Sequence, residues 1–404
     1  MSLAVPGWLA PVAAIFVLQT IAAFLSRLIP IIAPAISDEF GWGGSSIGYL
    51  SAAGSLGGLF ILVGGSTLLK QIGGMRTMQL TLFLGAACMA LFLHPSIGVA
   101  LAACFFMGFS NGASNPAGSE VLQRFSPPDK RNLIFSIKQA GVPLGGLIAG
   151  LVIPAIVFVA GWRAALFASA LLVVLPTMLT WRMSGRLDRP AASSLGFLSM
   201  PNLQSLRALR APLLSLRQSS GLLKMSIVGS LFAVSQSCWF TFTVIYLIDE
   251  LDYSLGLAGI VFSVMQIGGV IGRIGLGWLS DRIHSANVVL AIAAIVSAAT
   301  TVLLGLSAAT WPLWVVAVLV FLAGCSVASW NGVQIAEIAR RSPPGMIAET
   351  AAGSSILINL INMIAPTVFA TFIAFSGRYD YAFAAAGVCT LLALAFMPYE
   401  KRAG

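Results

Sequence analysis

The chain has 404 residues, 58% hydrophobic and only 9% charged, with a mean hydropathy of +0.95 and a net charge of +9. A soluble chain carries roughly 25% charged residues, so the composition excludes a globular enzyme with one anchor and implies an all-α polytopic membrane protein. The positive balance, which in a soluble protein would suggest nucleic acid, fits basic cytoplasmic loops that orient helices, and no nucleic-acid partner is expected.

About 20 apolar residues cross a hydrocarbon core. The sequence predicts twelve transmembrane helices, near 8–34, 45–69, 77–94, 97–119, 132–159, 162–181, 222–247, 254–280, 286–307, 311–336, 349–375 and 379–398. No basic residue precedes the first apolar run, MSLAVPGWLAPVAAIF, so it reads as an uncleaved first span and not a signal peptide. That span places Arg27 on a polar stripe with Gln19 and Ser26, followed by Pro30 and Pro34. The fourth span carries Asn111, Asn115 and Ser119 at helical spacing. The fifth carries Lys138 roughly two turns from its inner end, followed by a cluster at Gly141, Pro143, Gly145 and Gly146 that lets neighbouring helices approach closely.

One long connection, 182–221, divides the chain into a six-helix bundle over 1–181, a cytoplasmic linker and a second bundle over 222–404. The linker core SLRALRAPLLSLRQSS spaces Leu and Arg as an amphipathic helix broken at Pro212, suited to the inner membrane surface. In the seventh span, Ser235, Trp239, Thr243 and Tyr246 form a polar stripe, and Gln236 is a further polar position. The eighth holds Gln266 and Arg273, the tenth Trp330, Asn331 and Gln334, and the eleventh Ser355, Asn359 and Asn362. Each stripe has two readings: hydrogen bonds that tie spans together, or contact with a substrate.

An internal repeat supports the halving. With an offset of 216, Gly108 pairs with Gly324, Asn115 with Asn331, Arg124 with Arg340, and Ser126-Pro127-Pro128 with Ser342-Pro343-Pro344. Two pseudo-symmetric six-helix bundles, with a ligand held near the midplane, are a known transporter plan.

Basic residues set the expected orientation. With the N-terminus inside, the cytoplasmic loops and tail hold 17 of the 22 basic residues; Arg163 and Arg378 fall outside, while Arg27, Lys138 and Arg273 lie within spans. Asp38, Glu39, Asp249, Glu250, Asp252 and Asp380 fall in outer loops, so both termini are expected in the cytoplasm.

The eighth span and its exit read Gly272-Arg273-Ile274-Gly275-Leu276-Gly277-Trp278-Leu279-Ser280-Asp281-Arg282. Here the chain resembles the major facilitator superfamily, whose loop signature G-x-x-x-D-[RK]-x-G is matched by Gly277, Asp281 and Arg282. Position 284 departs from it, with His284 in place of the last Gly. The first-half copy, Ser66 to Gly73, departs further, with Lys70 where the Asp would stand. The resemblance implies that Gly277, Asp281 and Arg282 belong to an inner gate. It also implies that Arg273, about 12 Å inside the Asp281 membrane edge at 1.5 Å per residue, matches an arginine that binds substrate carboxylate in the superfamily's monocarboxylate and oxalate carriers.

A charge at the bilayer centre costs about 2.5–3.5 kcal/mol on insertion scales, and the spans around Arg27, Lys138 and Arg273 offer no acid at comparable depth. An anionic ligand would supply the missing charge; a guanidinium fork suits a carboxylate in particular. The competing readings are snorkelling for Arg27, a gate-lining role for Lys138, and pairing with Asp281 or snorkelling for Arg273. The expected function is secondary transport of a small organic anion by a monomer in the bacterial inner membrane. Arg27, Lys138, Arg273, Asn115, Asn331 and Asn359 would form its binding site, with Trp239, Tyr246 and Trp330 shaping the walls. A drug or metabolite efflux antiporter and a non-transporting sensor or assembly factor are the alternatives. A coupling proton would use the substrate or the span-end acids Glu120, Glu337 and Glu349, and symport, uniport and exchange stay open. No catalytic spacing and no phosphate-cradling loop occur, which excludes an enzyme or an ATP-driven pump, and no cofactor or metal is expected. His94 and His284 are far apart, and Cys88, Cys104, Cys238, Cys325 and Cys389 read as packing thiols.

Overall fold

The computed structural model describes residues 7–127, 131–188, 210–343 and 346–398; side chains at 65–68, 70, 131–133 and 348 fall outside that description. So do several residues used above: the side chains of Ser66, Thr67, Leu68, Lys70 and Arg131, and all of Pro128, Lys130, Arg189, Arg207, Pro344, Lys401 and Arg402, with linker positions 189–209.

Among the described residues the chain is helical throughout, without strands. The first half contains α1 (Leu9–Phe40), α2 (Ser46–Ile72), α3 (Gly74–Cys88), α4 (Ile97–Phe125), α5 (Arg131–Thr180) and the short α6 (Ser184–Leu187). The second contains α7 (Arg210–Ser215), α8 (Ser220–Asp249), α9 (Leu255–Ile283), α10 (Ala286–Gly305), α11 (Leu313–Val327), α12 (Asn331–Arg341), α13 (Ile347–Ser376) and α14 (Tyr379–Leu391). Eleven helical runs are long and apolar enough to cross a membrane, and one, Ile134–Leu187, is 54 residues long. It is two crossings. Gly161, at φ 80 and ψ 168, folds α5 back on itself there, in a backbone region essentially closed to residues with a Cβ. Twelve crossings result among the described residues.

The tenth span differs from expectation. In place of one helix over 311–336, α11 ends at Val327 and α12 begins at Asn331, with a turn over Ala328–Trp330. Proline kinks elsewhere (Pro30 and Pro34 in α1, Pro116 in α4, Pro366 in α13) leave their helices continuous, since neighbouring groups take up the freed backbone atoms.

The described residues divide into two compact units, one of residues 7–42 with 53–188, the other of residues 43–52 with 210–398. In the first, α1 lies along α5, and Gly145 allows it: a methyl there would stand 2.3 Å from the Thr20 carbonyl oxygen. The helices α2 and α4 cross at Gly108, where a methyl would stand 1.9 Å from the Gly54 carbonyl oxygen. In the second unit the repeat partner Gly324 does the same work between α9 and α11, 2.1 Å from the Met265 carbonyl oxygen. The repeat thus marks equivalent helix crossings. Its core gathers Leu222, Met225, Val228 and Phe232 of α8 with Val289, Leu290 and Ala293 of α10 and Trp330. The described end of the linker is helical through Pro212, whose carbonyl oxygen would lie 2.2 Å from a methyl on Gly353. This segment therefore packs on α13.

Arg163 and Arg378, the two basic residues expected in outer loops, each pair with an acid. Arg163 grips Glu39 through both terminal nitrogens, with Trp162 donating to the same carboxylate at 2.6 Å. Arg378 holds Asp380 through Nε at 3.1 Å and Nη2 at 2.5 Å.

Candidate functional site

In the first unit, α4, with Pro116 inside it, presents Asn115 and Ser119 one turn apart on the side that meets α5. Lys138 reaches them from α5. Its side chain is 2% exposed, and its Nζ donates to Ser119 Oγ at 2.9 Å, the Asn115 carbonyl at 3.0 Å and Asn115 Oδ1 at 3.4 Å. All three acceptors are neutral, and among the described residues no carboxylate forms an ion pair with this ammonium. Its stem runs over Gly118, where a methyl would stand 3.2 Å from Lys138 Cε and 3.0 Å from Ile15 of α1. One turn back along α4, Ser114 accepts from Gln19 of α1 at 3.4 Å, and Gln19 is itself 2% exposed. Arg27 is half-buried two turns further along α1.

The second unit builds a corresponding cluster around the broken tenth span. A helix end leaves carbonyls without intrahelical partners, and Arg273 of α9 takes one of them, donating from Nε and Nη2 to the Ala328 oxygen, each at 3.3 Å. Gln236 of α8 takes the next, donating to the Val327 oxygen at 2.9 Å and to Asn331 Oδ1 at 3.2 Å. Ser329 closes the turn by donating to the Gly324 and Gly269 carbonyls at 2.8 and 3.0 Å. The repeat pair Asn115 and Asn331 therefore both stand beside a buried polar donor at a disturbed point of their helix.

Other expected site residues are placed elsewhere. Trp239 is fully buried and donates to Thr301 Oγ1 at 2.9 Å, while the Tyr246 hydroxyl donates to the Leu304 carbonyl at 2.6 Å. Trp330 is fully buried and stacks on Phe232 at 5.2 Å. Asn359 donates to the Ser355 carbonyl of its own helix at 2.8 Å. These four side chains are engaged inside the second unit.

The loop signature also takes a definite form. A methyl on Gly277 would meet nothing within 4 Å, so close helix crossing occurs a turn earlier, at Gly272, against the Cys325 carbonyl. Asp281 and Arg282 are exposed, with Arg282 lying 5.5 Å from the Trp278 ring centre. His284 occupies the left-handed region at φ 56, which explains why the superfamily pattern carries Gly there. Its first-half counterpart, Gly73, keeps the glycine at φ 87.

The sequence reading missed Asp188. Its carboxylate accepts from the backbone N–H of Met75 at 2.8 Å and of Arg76 at 3.0 Å, capping α3 beside Gly73. Burial pushes its pKa up, and the two amides with Arg124 and Arg76 oppose that rise. The first-half loop, which has Lys70 at its acidic position, thus receives a carboxylate from the end of the sixth span. A contact 113 residues away in sequence left no local signal.

Glu337 is 2% exposed and accepts from Arg340 at 2.7 and 2.8 Å and from Arg341 at 2.5 Å, while Glu120 pairs with Arg124 at 3.3 Å.

Twelve apolar crossings among the described residues, divided between two compact units, define an all-α integral membrane protein of transporter architecture. Residues 15–366 match the Major Facilitator Superfamily, and the chain belongs to that family; it is a transporter-family protein and not an enzyme. An uncharacterized MFS-type transporter of Mycobacterium tuberculosis is 26% identical over 370 residues, covering 90% of this chain and 79% of the relative. The 4-hydroxybenzoate transporter PcaK of Pseudomonas aeruginosa is 23% identical, over 64% of this chain and 63% of its own length. Among solved structures, a POT family transporter in complex with 5-aminolevulinic acid superposes with a TM-score of 0.79 at 12% identity, covering 98% of this chain and 96% of that one. A bacterial homolog of the human lysosomal transporter Spinster, inward-facing and unoccupied, gives 0.70 at 15% identity, covering 97% and 95%.

Proposed function

We propose that the chain is a secondary transporter of a small organic anion, most simply a carboxylate, working by alternating access. The observation that carries the reading is Lys138: an ammonium inside an apolar span, 2% exposed and held, among the described residues, by neutral oxygens. Burial of an unneutralised charge costs several kcal/mol, and an anionic substrate removes that cost only while it is bound. Arg273 adds a second cation inside a span, with part of its fork on the Ala328 carbonyl, and a guanidinium suits a carboxylate. Arg27, Asn115 and Asn331 complete the proposed binding set, with Asp281 and Arg282 at the gate. Trp239, Tyr246, Trp330 and Asn359 serve packing in this reading.

Relatives whose names specify a substrate point the same way: 4-hydroxybenzoate transporters of two pseudomonads and a probable anion transporter of Arabidopsis thaliana, the last 27% identical over 45% of this chain. The placing of 17 of the 22 basic residues in loops on one side supports cytoplasmic termini in a bacterial inner membrane. The second reading, a sensor, is favoured by the membrane sensor protein UhpC of Escherichia coli, 22% identical over 44% of this chain.

Uptake of labelled 4-hydroxybenzoate, benzoate, lactate and oxalate into proteoliposomes tests the proposal. At least one carboxylate should enter faster than into protein-free vesicles and be displaced by its unlabelled form. Saturable binding without uptake would give the sensor reading. Uptake of cationic drugs with no carboxylate binding would overturn both.

A further inference from the structure

We propose that the first unit carries a binding site for an anionic phospholipid where the sixth span ends. Phe83 of α3 with Met178, Leu179, Trp181 and Arg182 line a groove of about 550 Å³. One wall is apolar: Met178 and Leu179 are 60% and 82% exposed. The other end is basic and aromatic. Trp181 is pinned, with Phe83 set edge-on at 5.7 Å and the Arg76 guanidinium 4.6 Å from its ring centre. Arg76 is in turn fixed by Ser184, 2.8 Å from its Nε.

The occupant follows from this arrangement. The apolar wall belongs to the last turn of α5, which ends at Thr180 within a membrane-crossing run, so it lies against acyl chains. A tryptophan at that level is the usual interfacial anchor. Arg182 and Arg186 are exposed beside it, no ion pair to either occurs among the described residues, and Asp188 is committed to the Met75 and Arg76 amides. The uncompensated charge at the groove mouth is therefore positive. An acyl chain along Met178 and Leu179 with its phosphate at Arg182 satisfies both halves, as basic pockets at span ends do for anionic headgroups. A zwitterionic lipid satisfies only the apolar half, and free phosphate only the basic one. The site is separate from Lys138 and independent of the transported substrate.

Native mass spectrometry of the purified full chain in neutral detergent, titrated with phosphatidylglycerol, phosphatidylcholine or inorganic phosphate, tests this. Phosphatidylglycerol should bind at least about tenfold more tightly than phosphatidylcholine, and Arg182→Gln should weaken it by about fivefold while leaving phosphatidylcholine unchanged. Arg182 is on the surface, so the variant should elute from size exclusion as the wild type does. Equal binding of the two lipids, or an Arg182→Gln variant that binds phosphatidylglycerol normally, would overturn the site. So would competition by millimolar phosphate alone, which would mark a free-anion site.

Discussion

Replacing Lys138 by methionine keeps the length of the side chain and removes its charge. Two of its hydrogen bonds are short, 2.9 Å to Ser119 and 3.0 Å to the Asn115 carbonyl, and the third, at 3.4 Å, contributes little. Bonds from a charged donor are worth about 1.5–3 kcal/mol each, and desolvating an ammonium costs several kcal/mol. The two contributions nearly cancel. Lys138→Met should therefore change the stability of the unliganded protein by less than about 2 kcal/mol, while removing one charge-assisted pair to the anion. That loss corresponds to roughly ten- to a hundredfold in carboxylate affinity. Thermal unfolding in detergent, with and without a saturating carboxylate, reads both quantities on the same sample. A variant that is strongly destabilised, yet whose folded fraction binds carboxylate normally, would refute the reasoning and make Lys138 a structural tie between α4 and α5.

Arg273→Lys keeps the charge but loses the fork on the Ala328 carbonyl; it should lower thermal stability by about 1–2 kcal/mol and weaken carboxylate binding, and unchanged unfolding would detach Arg273 from the α11 break. His284→Gly relieves a left-handed residue at the end of α9 and should raise stability by about 0.5–1 kcal/mol, visible as a higher midpoint in the same assay. Asp188→Ala removes the cap from α3 and should cut hydrogen-exchange protection of the first α3 amides by about tenfold, for a cap worth about 1–2 kcal/mol; intact protection would show that the two hydrogen bonds do not hold the corner.

The spans were legible because a membrane crossing depends on local composition, and the fold of α5 at Gly161 was legible as a short gap between two apolar runs. The break at Ala328–Trp330 was not. Ser329 and the Asn331-Gly332 pair just after it are turn residues, but within an apolar run they also read as a polar stripe, and the interruption is held by Arg273, Gln236 and Ser329 from outside or across the turn. Trp239 and Tyr246 share a stripe that reads equally as a cavity wall or as a buried seam, because helical spacing identifies a face without its neighbour. The hydrogen bonds of that stripe to Thr301 and the Leu304 carbonyl follow from the packing of α8 on α10, which the spacing does not encode. Lys138 was recognisable as a costly residue from sequence. That its partners are a neutral amide and a hydroxyl required the packing of α4 against α5.

The central claim is that a buried cation meets an anion, and a matched pair of ligands tests it most directly: benzoate and its uncharged isostere benzamide, titrated against the purified protein and its Lys138→Met variant. The account predicts that benzoate or another carboxylate of the panel stabilises the wild type at least tenfold more potently than its amide, and that the preference collapses in the variant. Equal potency of acid and amide on the wild type, or a preference that survives the loss of Lys138 undiminished, would contradict it.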